Sequence, residues 1–430
     1  MPTTDQTEPA DSAAPAGPGA GGLALVISSL RSGGAERVMT ILAGEWARRG
    51  REVTLITLDT AESDFHALPP GVRRVALGVM GDATGPVDAV LRNAGRVRAL
   101  RRALAASGAR AAVSFMDVTN VMTLAASAGL GMAVAVSERI DPREMPLGRL
   151  WTRLRGLAYP RAGALVMQSE RLRPWARGFL PDDRIFTIPN PLAPSGHPPP
   201  RQQAAAADGA DGRLGGPTAV DGMDTEFDQE ATEEQPEGDG GGRVRAREPL
   251  LMAMGRLDRQ KGHDLLIKAF ELAKRSYPVA EPWRLVIFGE GPERAALSGL
   301  AARLELNSGD LEMPGRADDP APWLARAGIF AMPSRFEGFP NALIEAMVAG
   351  VCCVAADCPT GPAEIVRDRI DGALVPVEDV PALANALGWL MYDGEARRDM
   401  GERARGVADR FAAGPIVDMW DAALARAARG

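Results

Sequence analysis

Residues 332–345 read MPSRFEGFPNALIE. The apolar run Gly328–Met332 ends as this stretch begins, and Pro333, Gly338 and Pro340 then force a loop. A helix is expected to start near Asn341, whose side chain can cap it. The stretch is therefore a strand, a loop and a helix start, which is one half of a βα unit. Backbone N–H groups over Phe339, Pro340, Asn341, Ala342 and Leu343 (proline contributing only its carbonyl) would form the rim of a helix N-terminus. Such a rim is a ready anion site for a diphosphate. Glu337 falls in the loop and Glu345 in the first helical turn. A carboxylate next to bound phosphate repels it, so each must serve another group. Sugar hydroxyls are natural partners, as with the acid that holds ribose in dinucleotide folds. Local physics equally allows a plain helix-start carboxylate and an exposed acid.

Working outward, the same alternation recurs along the chain. Strands are expected at Leu23–Ser28, Glu52–Leu58, Ala111–Phe115, Ala133–Ser137, Ala164–Gln168 and Ile185–Ile188. After residue 249 they are expected at Leu250–Met254, Arg284–Phe288, Leu311–Met313, Gly328–Met332 and Val351–Ala355. Helices lie between them, as over Ala35–Arg49 and His263–Lys274. Alternating βα units imply a parallel sheet covered by helices on both faces. The expectation is an α/β chain of two Rossmann-like, doubly wound domains facing a cleft. Their bounds are 22–194 and 249–410, with residues 411–430 forming a C-terminal helix that packs back on the first domain. Ligands in such folds sit beyond the carboxyl ends of the strands.

Three more strand-end loops carry chemistry. Met254–His263, MGRLDRQKGH, places Arg256 and Lys261 after Gly255 in a short loop. Two cations at a sheet's carboxyl edge can neutralise a diphosphate, the arginine as a fork and the lysine as a point charge. Ser28–Glu36, SSLRSGGAE, brings Gly33-Gly34 close to any ligand without forming a dinucleotide GxGxxG fingerprint. Phe288–Pro292, FGEGP, has Gly289 and Glu290 at a strand end, where a flat base can lie on the backbone. Surface charge and ordinary turns explain each loop taken singly.

Composition narrows the function further. The 430 residues hold 49 Lys+Arg and 56 Asp+Glu, for a net charge of −7. Residues 22–194 carry 23 Arg and no Lys against 15 acids, whereas 195–248 carry 5 Arg against 12 acids. The acidic total therefore conceals a basic first half. Segments 1–21 and 195–248 lack the apolar side chains needed to offset ordering entropy, so both are expected to be disordered. Three Cys and three scattered His give neither a disulfide framework nor metal-ligand spacing, and fit a reducing cytoplasm. The uncharged stretch Val118–Ser137 is interrupted by Thr119, Asn120, Gly129 and Gly131, and reads as a helix and a strand rather than a membrane span.

The combination GRL…KG, FGEGPE, SRFEGFPNALIEAMVAG and GPAEIV (Gly361–Val366) resembles the retaining GT-B glycosyltransferases of family 4. The resemblance runs from Leu23 to about Trp420. Glu337 and Glu345 match that family's E-x7-E motif. GGAERV, SFMDVTN and SERIDPR look like a bacterial branch that assembles exopolysaccharide or lipid-linked oligosaccharide. The resemblance implies that Arg256 and Lys261 bind the donor diphosphate and that Glu345 binds the nucleotide ribose. Glu337 and the Phe339–Asn341 backbone would contact the donor sugar. Gly289 and the Arg316 region would flank the base, and Gly33-Gly34 would approach from the opposite domain. It implies a nucleotide-sugar donor, most simply UDP-linked, and neither metal nor other cofactor. Many relatives have a His where this chain reads SFMDVTN. Asp117 then stands near the acceptor hydroxyl, or is merely a strand-end residue capping the next helix, with Glu138 and Arg139 as acceptor-side neighbours.

The segments Arg92–Ala106 and Leu147–Arg161 are basic and amphipathic. Either they are solvated outer faces of sheet-covering helices, or they rest on an anionic membrane leaflet that presents a lipid-linked acceptor. Cytoplasmic placement, peripheral on the inner membrane, follows from the second reading. The rival functions are a GT-B-like sugar-nucleotide epimerase and a non-catalytic donor-binding scaffold. Nucleic acid is a poor partner, because no binding module accompanies the arginines.

Overall fold

The computed structural model describes residues 21–81, 84–194, 247–277, 282–317 and 319–430. The segments expected to be disordered lie outside the described residues, apart from Gly21 and the pair Arg247 and Glu248. That pair corrects the boundary drawn at 248. Glu248 opens a strand, and the Arg247 guanidinium donates to the carbonyls of Leu324 (2.7 Å) and Ala327 (2.9 Å).

The first half contains β1 (Leu23–Ile27), α1 (Gly34–Arg48), β2 (Val53–Thr57) and β3 (Val72–Ala76). Then come α2 (Pro86–Ala106), β4 (Ala111–Phe115), α3 (Asp117–Ser127) and β5 (Ala133–Ser137). It closes with α4 (Arg149–Ala158), β6 (Ala164–Met167), α5 (Arg173–Ala176) and β7 (Ile185–Thr187). The second half runs β8 (Glu248–Met254), α6 (His263–Ser276), β9 (Arg284–Phe288), α7 (Arg294–Arg303), β10 (Leu311–Gly315) and α8 (Ala321–Arg326). There follow β11 (Ala327–Met332), α9 (Asn341–Val348), β12 (Cys352–Ala356), α10 (Pro362–Ile365) and β13 (Ala373–Val375). Four helices end the chain: α11 (Val380–Tyr392), α12 (Gly394–Ala404), α13 (Val407–Arg410) and α14 (Ala413–Ala428).

The first sheet has the order β3-β2-β1-β4-β5-β6-β7 and the second β10-β9-β8-β11-β12-β13. Every pairing between these strands is parallel. A strand in such a sheet is buried on both faces. Leu23, Leu25 and Ile27 of β1 accordingly enter one core while Ala24 and Val26 enter the other. Leu251 and Ala253 of β8 divide from Leu250 and Met252 in the same way. In each sheet the strand order reverses beside the first strand, between β1 and β4 and between β8 and β11. Crevices at such switch points are where ligands bind in open α/β sheets. The loops that open there are 28–33 and Met116 in one sheet, and 255–262 and 333–340 in the other.

Helix α14 packs on β5, β6 and α1, so the end of the chain completes the first domain's core. Trp420 is fully buried, edge-on to Trp46 at 6.5 Å and tilted against Phe115 at 5.7 Å. Asp421 accepts from Trp46 Nε1 (2.9 Å) and Arg51 Nη1 (3.0 Å).

On the outer layer α3 lies between α2 and α4. The stretch 118–137 is the helix α3 followed by β5, and no helix among the described residues is long and apolar enough to cross a membrane. Helix α4 turns Trp151, Leu154 and Ala158 to the first domain's core but carries apolar residues on its outer face as well. It buries Arg155 and leaves Leu150 61% and Leu157 66% exposed. The first turns of α2 do likewise, with Val87, Val90 and Leu91 exposed.

Candidate active site

At the second switch point the β8, β9 and β11 loops interlock. Leu257 N–H donates to Glu290 O (3.0 Å), and Glu293 N–H returns to Leu257 O (2.9 Å). A Cβ on Gly289 would lie 1.9 Å from Gly255 O. The close approach that Gly289 permits here is backbone to backbone. Gln260 O accepts from Arg335 N–H (2.8 Å), and Arg335 ties the β11 loop to Asp264 (2.9 and 3.0 Å) and Glu378 (2.6 Å). Those carboxylates raise the Arg335 pKa above its already high ordinary value.

This framework sets Lys261 against Glu337, Nζ to Oε1 at 2.7 Å. The same oxygen accepts from Ser334 Oγ (2.6 Å), and Thr360 Oγ1 donates to the Glu337 carbonyl. The Glu337 carboxylate is buried, and its charge is offset by lysine and hydroxyl rather than by solvent. Arg256 stands apart, exposed and paired with Asp258 at 2.9 Å. His263 stays neutral over the ordinary pH range, pushed down to about 4 by burial and by Lys261, so it adds no charge to the loop. Glu290 and Arg316 are exposed. Glu290 pairs with Arg294 (2.7 Å), which together with the more remote Arg316 holds its carboxyl below the usual range.

Helix α9 starts at Asn341, but Asn341 is not its cap. Pro340 holds that position and makes no side-chain capping bond. The Asn341 amide is recruited from the other domain instead. Its Oδ1 accepts from Asn190 Nδ2 (2.6 Å), and its Nδ2 lies 3.5 Å from Gly34 O. Asn190 also donates to Phe339 O (3.2 Å), and its own oxygen accepts from Arg139. Gly338 runs so close to the first domain that a Cβ there would sit 2.1 Å from Arg139 O. Arg37 of α1 pairs with Glu345 of α9, and Ser169 donates to Glu364. Phe339 packs edge-on to Phe411 at 5.4 Å, while Leu343 is buried beneath the helix. The carboxylates and amides of the donor-side loops are therefore met by Gly34, Arg37, Ser169 and Asn190 across the cleft.

The acceptor-side residues are placed differently from expectation. Arg139 is buried, with its guanidinium 4.2 Å over the Phe115 ring, and burial lowers its pKa to about 9. It is still a cation at neutral pH, and it is spent on Asn190. Glu138 is buried and accepts from Tyr159 OH, with Arg155 at 3.8 Å. Burial first, and Asp117 beside it, push its carboxyl up to about 7, against the opposing pull of Tyr159 and Arg155. Asp117 is half-buried, the first residue of α3, and accepts from its neighbour Val118 N–H at 2.6 Å. Of these three, Asp117 alone keeps appreciable exposure.

The residues that sequence reading passed over are Arg37, Ser169, Asn190, Thr360 and Glu364. Arg37 and Glu364 lay inside the quoted GGAERV and GPAEIV stretches. Asn190, a lone amide between Pro189 and Pro191 just after a strand, was the one local signal available.

Two family descriptions match the chain. "Glycosyl transferase 4-like domain" covers residues 33–191, and "Glycosyl transferases group 1" covers 239–407. Both halves are glycosyltransferase domains. The glycosyltransferase folds of known structure agree. A sucrose-phosphate synthase from Thermosynechococcus elongatus superposes with a TM-score of 0.68, covering 93% of this chain and 97% of its own, at 16% identity. HepE of Anabaena, solved with UDP and glucose, gives 0.65 over 93% and 97%, also at 16% identity. The architecture is GT-B. A Campylobacter jejuni α-1,4-N-acetyl-D-galactosaminyltransferase, named for a diNAcBac-PP-undecaprenol-linked acceptor, is 25% identical over 93% of this chain and 96% of its own. An exopolysaccharide phosphotransferase of Streptomyces coelicolor is 42% identical over 167 residues, 39% of this glycosyltransferase-domain chain and 17% of that protein. The chain thus spans a small part of the Streptomyces protein and nearly the whole Campylobacter one.

Proposed function

We propose that the chain transfers a sugar from a nucleotide-diphospho-sugar to a glycan or polyprenyl-diphosphate-linked acceptor, with retention of anomeric configuration. The observation that carries this reading is the Lys261–Glu337 pair beside the α9 N-terminus, faced by Gly34 and Asn190 of the other domain. Lys261, Arg256 and the helix-start amides stabilise the charge that develops on the leaving nucleoside diphosphate. These fixed donors do the work a divalent ion would otherwise do, and the proposal includes no metal. Glu337 accepts from donor-sugar hydroxyls and Glu345 from the ribose. Gly289, Glu290 and Arg316 border the base. The acceptor hydroxyl attacks the face the diphosphate leaves, and the departing phosphate oxygen takes its proton. Asp117 orients that hydroxyl, while Glu138 and Arg139 hold the wall behind it. The Campylobacter relative is named for α-linked transfer. An α product from an α-linked sugar nucleotide is retention, which supports this stereochemistry.

That relative's undecaprenyl-diphosphate acceptor also supports a lipid-linked acceptor in cell-surface polysaccharide or oligosaccharide assembly. In this reading α4 meets an anionic inner membrane at its cytoplasmic face. Exposed Met145, Leu150 and Leu157 enter the headgroup region beside exposed Arg149, Arg153 and Arg161. Each basic residue near such a surface contributes about 1 kcal/mol. The expected result is co-sedimentation with phosphatidylglycerol vesicles at low salt, lost in a Leu150→Asp/Leu157→Asp variant. Equal binding by that variant, or none by the wild type, would remove the membrane contact.

The donor is tested by thermal shift across UDP-, GDP- and ADP-sugars, followed by nucleoside diphosphate release. Transfer requires release that depends on acceptor. Release from donor alone favours an epimerase-like or hydrolytic reaction, and binding with no release favours a scaffold.

A further inference from the structure

Glu345 is the carboxylate given to the donor ribose above, and the following rests on that reading. Its neighbours come from both domains. One Glu345 oxygen is taken by Arg37, which sits in the first turn of α1, three residues after Gly34. The remaining lining is Ile41 of α1, Pro191, Leu192 and Ala193 of the stretch after β7, and Asn341 and Ile344 of α9. Arg37 is the one charged group among the described residues that acts on this carboxylate. Glu345 is only 19% exposed at its side chain and Arg37 39%.

We propose that Arg37 is a positioning residue for ribose recognition, delivered by the first domain to hold the Glu345 carboxylate ionised and turned so that its second oxygen meets the ribose diol. Two physical facts support it. An ionised carboxylate offers acceptors only, which is what two ribose hydroxyls need, whereas a protonated one spends an oxygen as a donor. Burial favours the protonated form and pushes the Glu345 carboxyl up, and Arg37 opposes that shift. Because Arg37 belongs to the first domain, the ribose acceptor is complete only while α1 stands against α9. Asn190–Asn341 and Gly34–Asn341 hold the same two elements together. Ribose recognition is thereby tied to closure of the cleft.

The test measures Kd for UDP and for 2′,3′-dideoxy-UDP by calorimetry, at about pH 6 and about pH 8, on the full chain. The ratio of the two constants cancels the ionisation of the diphosphate itself. The wild type is expected to prefer UDP by at least roughly tenfold at both pH values, since two hydrogen bonds to a charged group are at stake. Glu345→Gln loses that preference at both. Arg37→Ala loses it, and loses it more at pH 6 than at pH 8, because the unpaired carboxyl holds its proton to higher pH than before. Loss at both values supports the orienting role equally. Arg37→Lys keeps a measurable preference, which guards against a misfolded alanine variant. If Glu345→Gln loses the preference while Arg37→Ala keeps the wild-type ratio at both pH values, Arg37 is not a positioning residue although the ribose reading stands. If Glu345→Gln keeps the wild-type ratio, or the wild type binds none of UDP, GDP and ADP, the ribose reading itself fails and takes the proposal with it.

Discussion

Replacing Lys261 by alanine lowers turnover by roughly tenfold to a thousandfold, the upper part of that span being the usual loss when one charge-stabilising donor is removed from an active site. Two consequences of one deletion add together. The leaving diphosphate loses a cation, and Glu337, buried and 2.7 Å from Lys261 Nζ, keeps among the described residues only the Ser334 hydroxyl as a side-chain donor. A buried carboxylate stripped of its partner takes up a proton or moves, so contact with the donor sugar suffers as well. The loss appears in kcat more than in donor KM, because the charge Lys261 meets is larger in the transition state. Arg256→Ala is expected in the same range by loss of diphosphate contact. It lies exposed and paired with Asp258, so it leaves the melting temperature unchanged whereas Lys261→Ala lowers it. Steady-state kinetics with a saturating acceptor decide the matter. Near-normal turnover in both variants would remove these residues from the chemistry.

Trp420→Ala destabilises the first domain by about 3–5 kcal/mol, the usual cost of emptying a large aromatic site in a core. Trp420 is fully buried between Trp46 and Phe115, and it enters from a helix nearly four hundred residues downstream of the first strand. At about 2–4 °C per kcal/mol for a domain of 150–250 residues, calorimetry is expected to show that domain's melting fall by roughly 6–20 °C. The side chain is remote from Lys261 and Glu337 in the contacts described, so catalysis by the folded fraction is unaffected. An unchanged melting curve would mean that α14 is not part of the first domain's core in solution.

Legibility followed burial. Ala111–Phe115, Ala133–Ser137 and Arg284–Phe288 were read to the residue, because a strand covered on both faces is an unbroken apolar run. Strand β3, VRRVA, sits at the sheet edge with its arginines partly in solvent and was missed. Strand β13 is three residues long and leaves no pattern to find. Helix α4 was recognised as basic and amphipathic, but not which of its residues meet the core. Leu150 and Leu157 point outward and Leu154 inward, while Arg155 and Tyr159 are buried beside Glu138, and periodicity does not tell which apolar residues meet the core.

The same limit applied to the site. Lys261 and Glu337 were singled out because each lies in a short loop after a strand, and the structure brings those loops together beside the switch point of one sheet. Arg37–Glu345 and Asn190–Asn341 join residues 308 and 151 positions apart. Neither pair has a local signature, since each is made by one domain closing on the other. Asn341 shows the cost of local reasoning most plainly. A residue type suited to capping was assigned the cap, while its amide is held by Asn190.

Sugar transfer with retention at the Lys261–Glu337 site is the proposed reaction. It is tested most directly by the anomeric configuration of the product. The purified chain is given UDP-N-acetylgalactosamine, UDP-N-acetylglucosamine, UDP-glucose or GDP-mannose with a polyprenyl-diphosphate-linked N-acetylgalactosamine acceptor, and the new linkage is read by proton NMR. The expected result is an α-linked product from at least one donor, formed only with acceptor present and abolished in Glu337→Gln. A β-linked product, hydrolysis without transfer, or full activity in Glu337→Gln would contradict it.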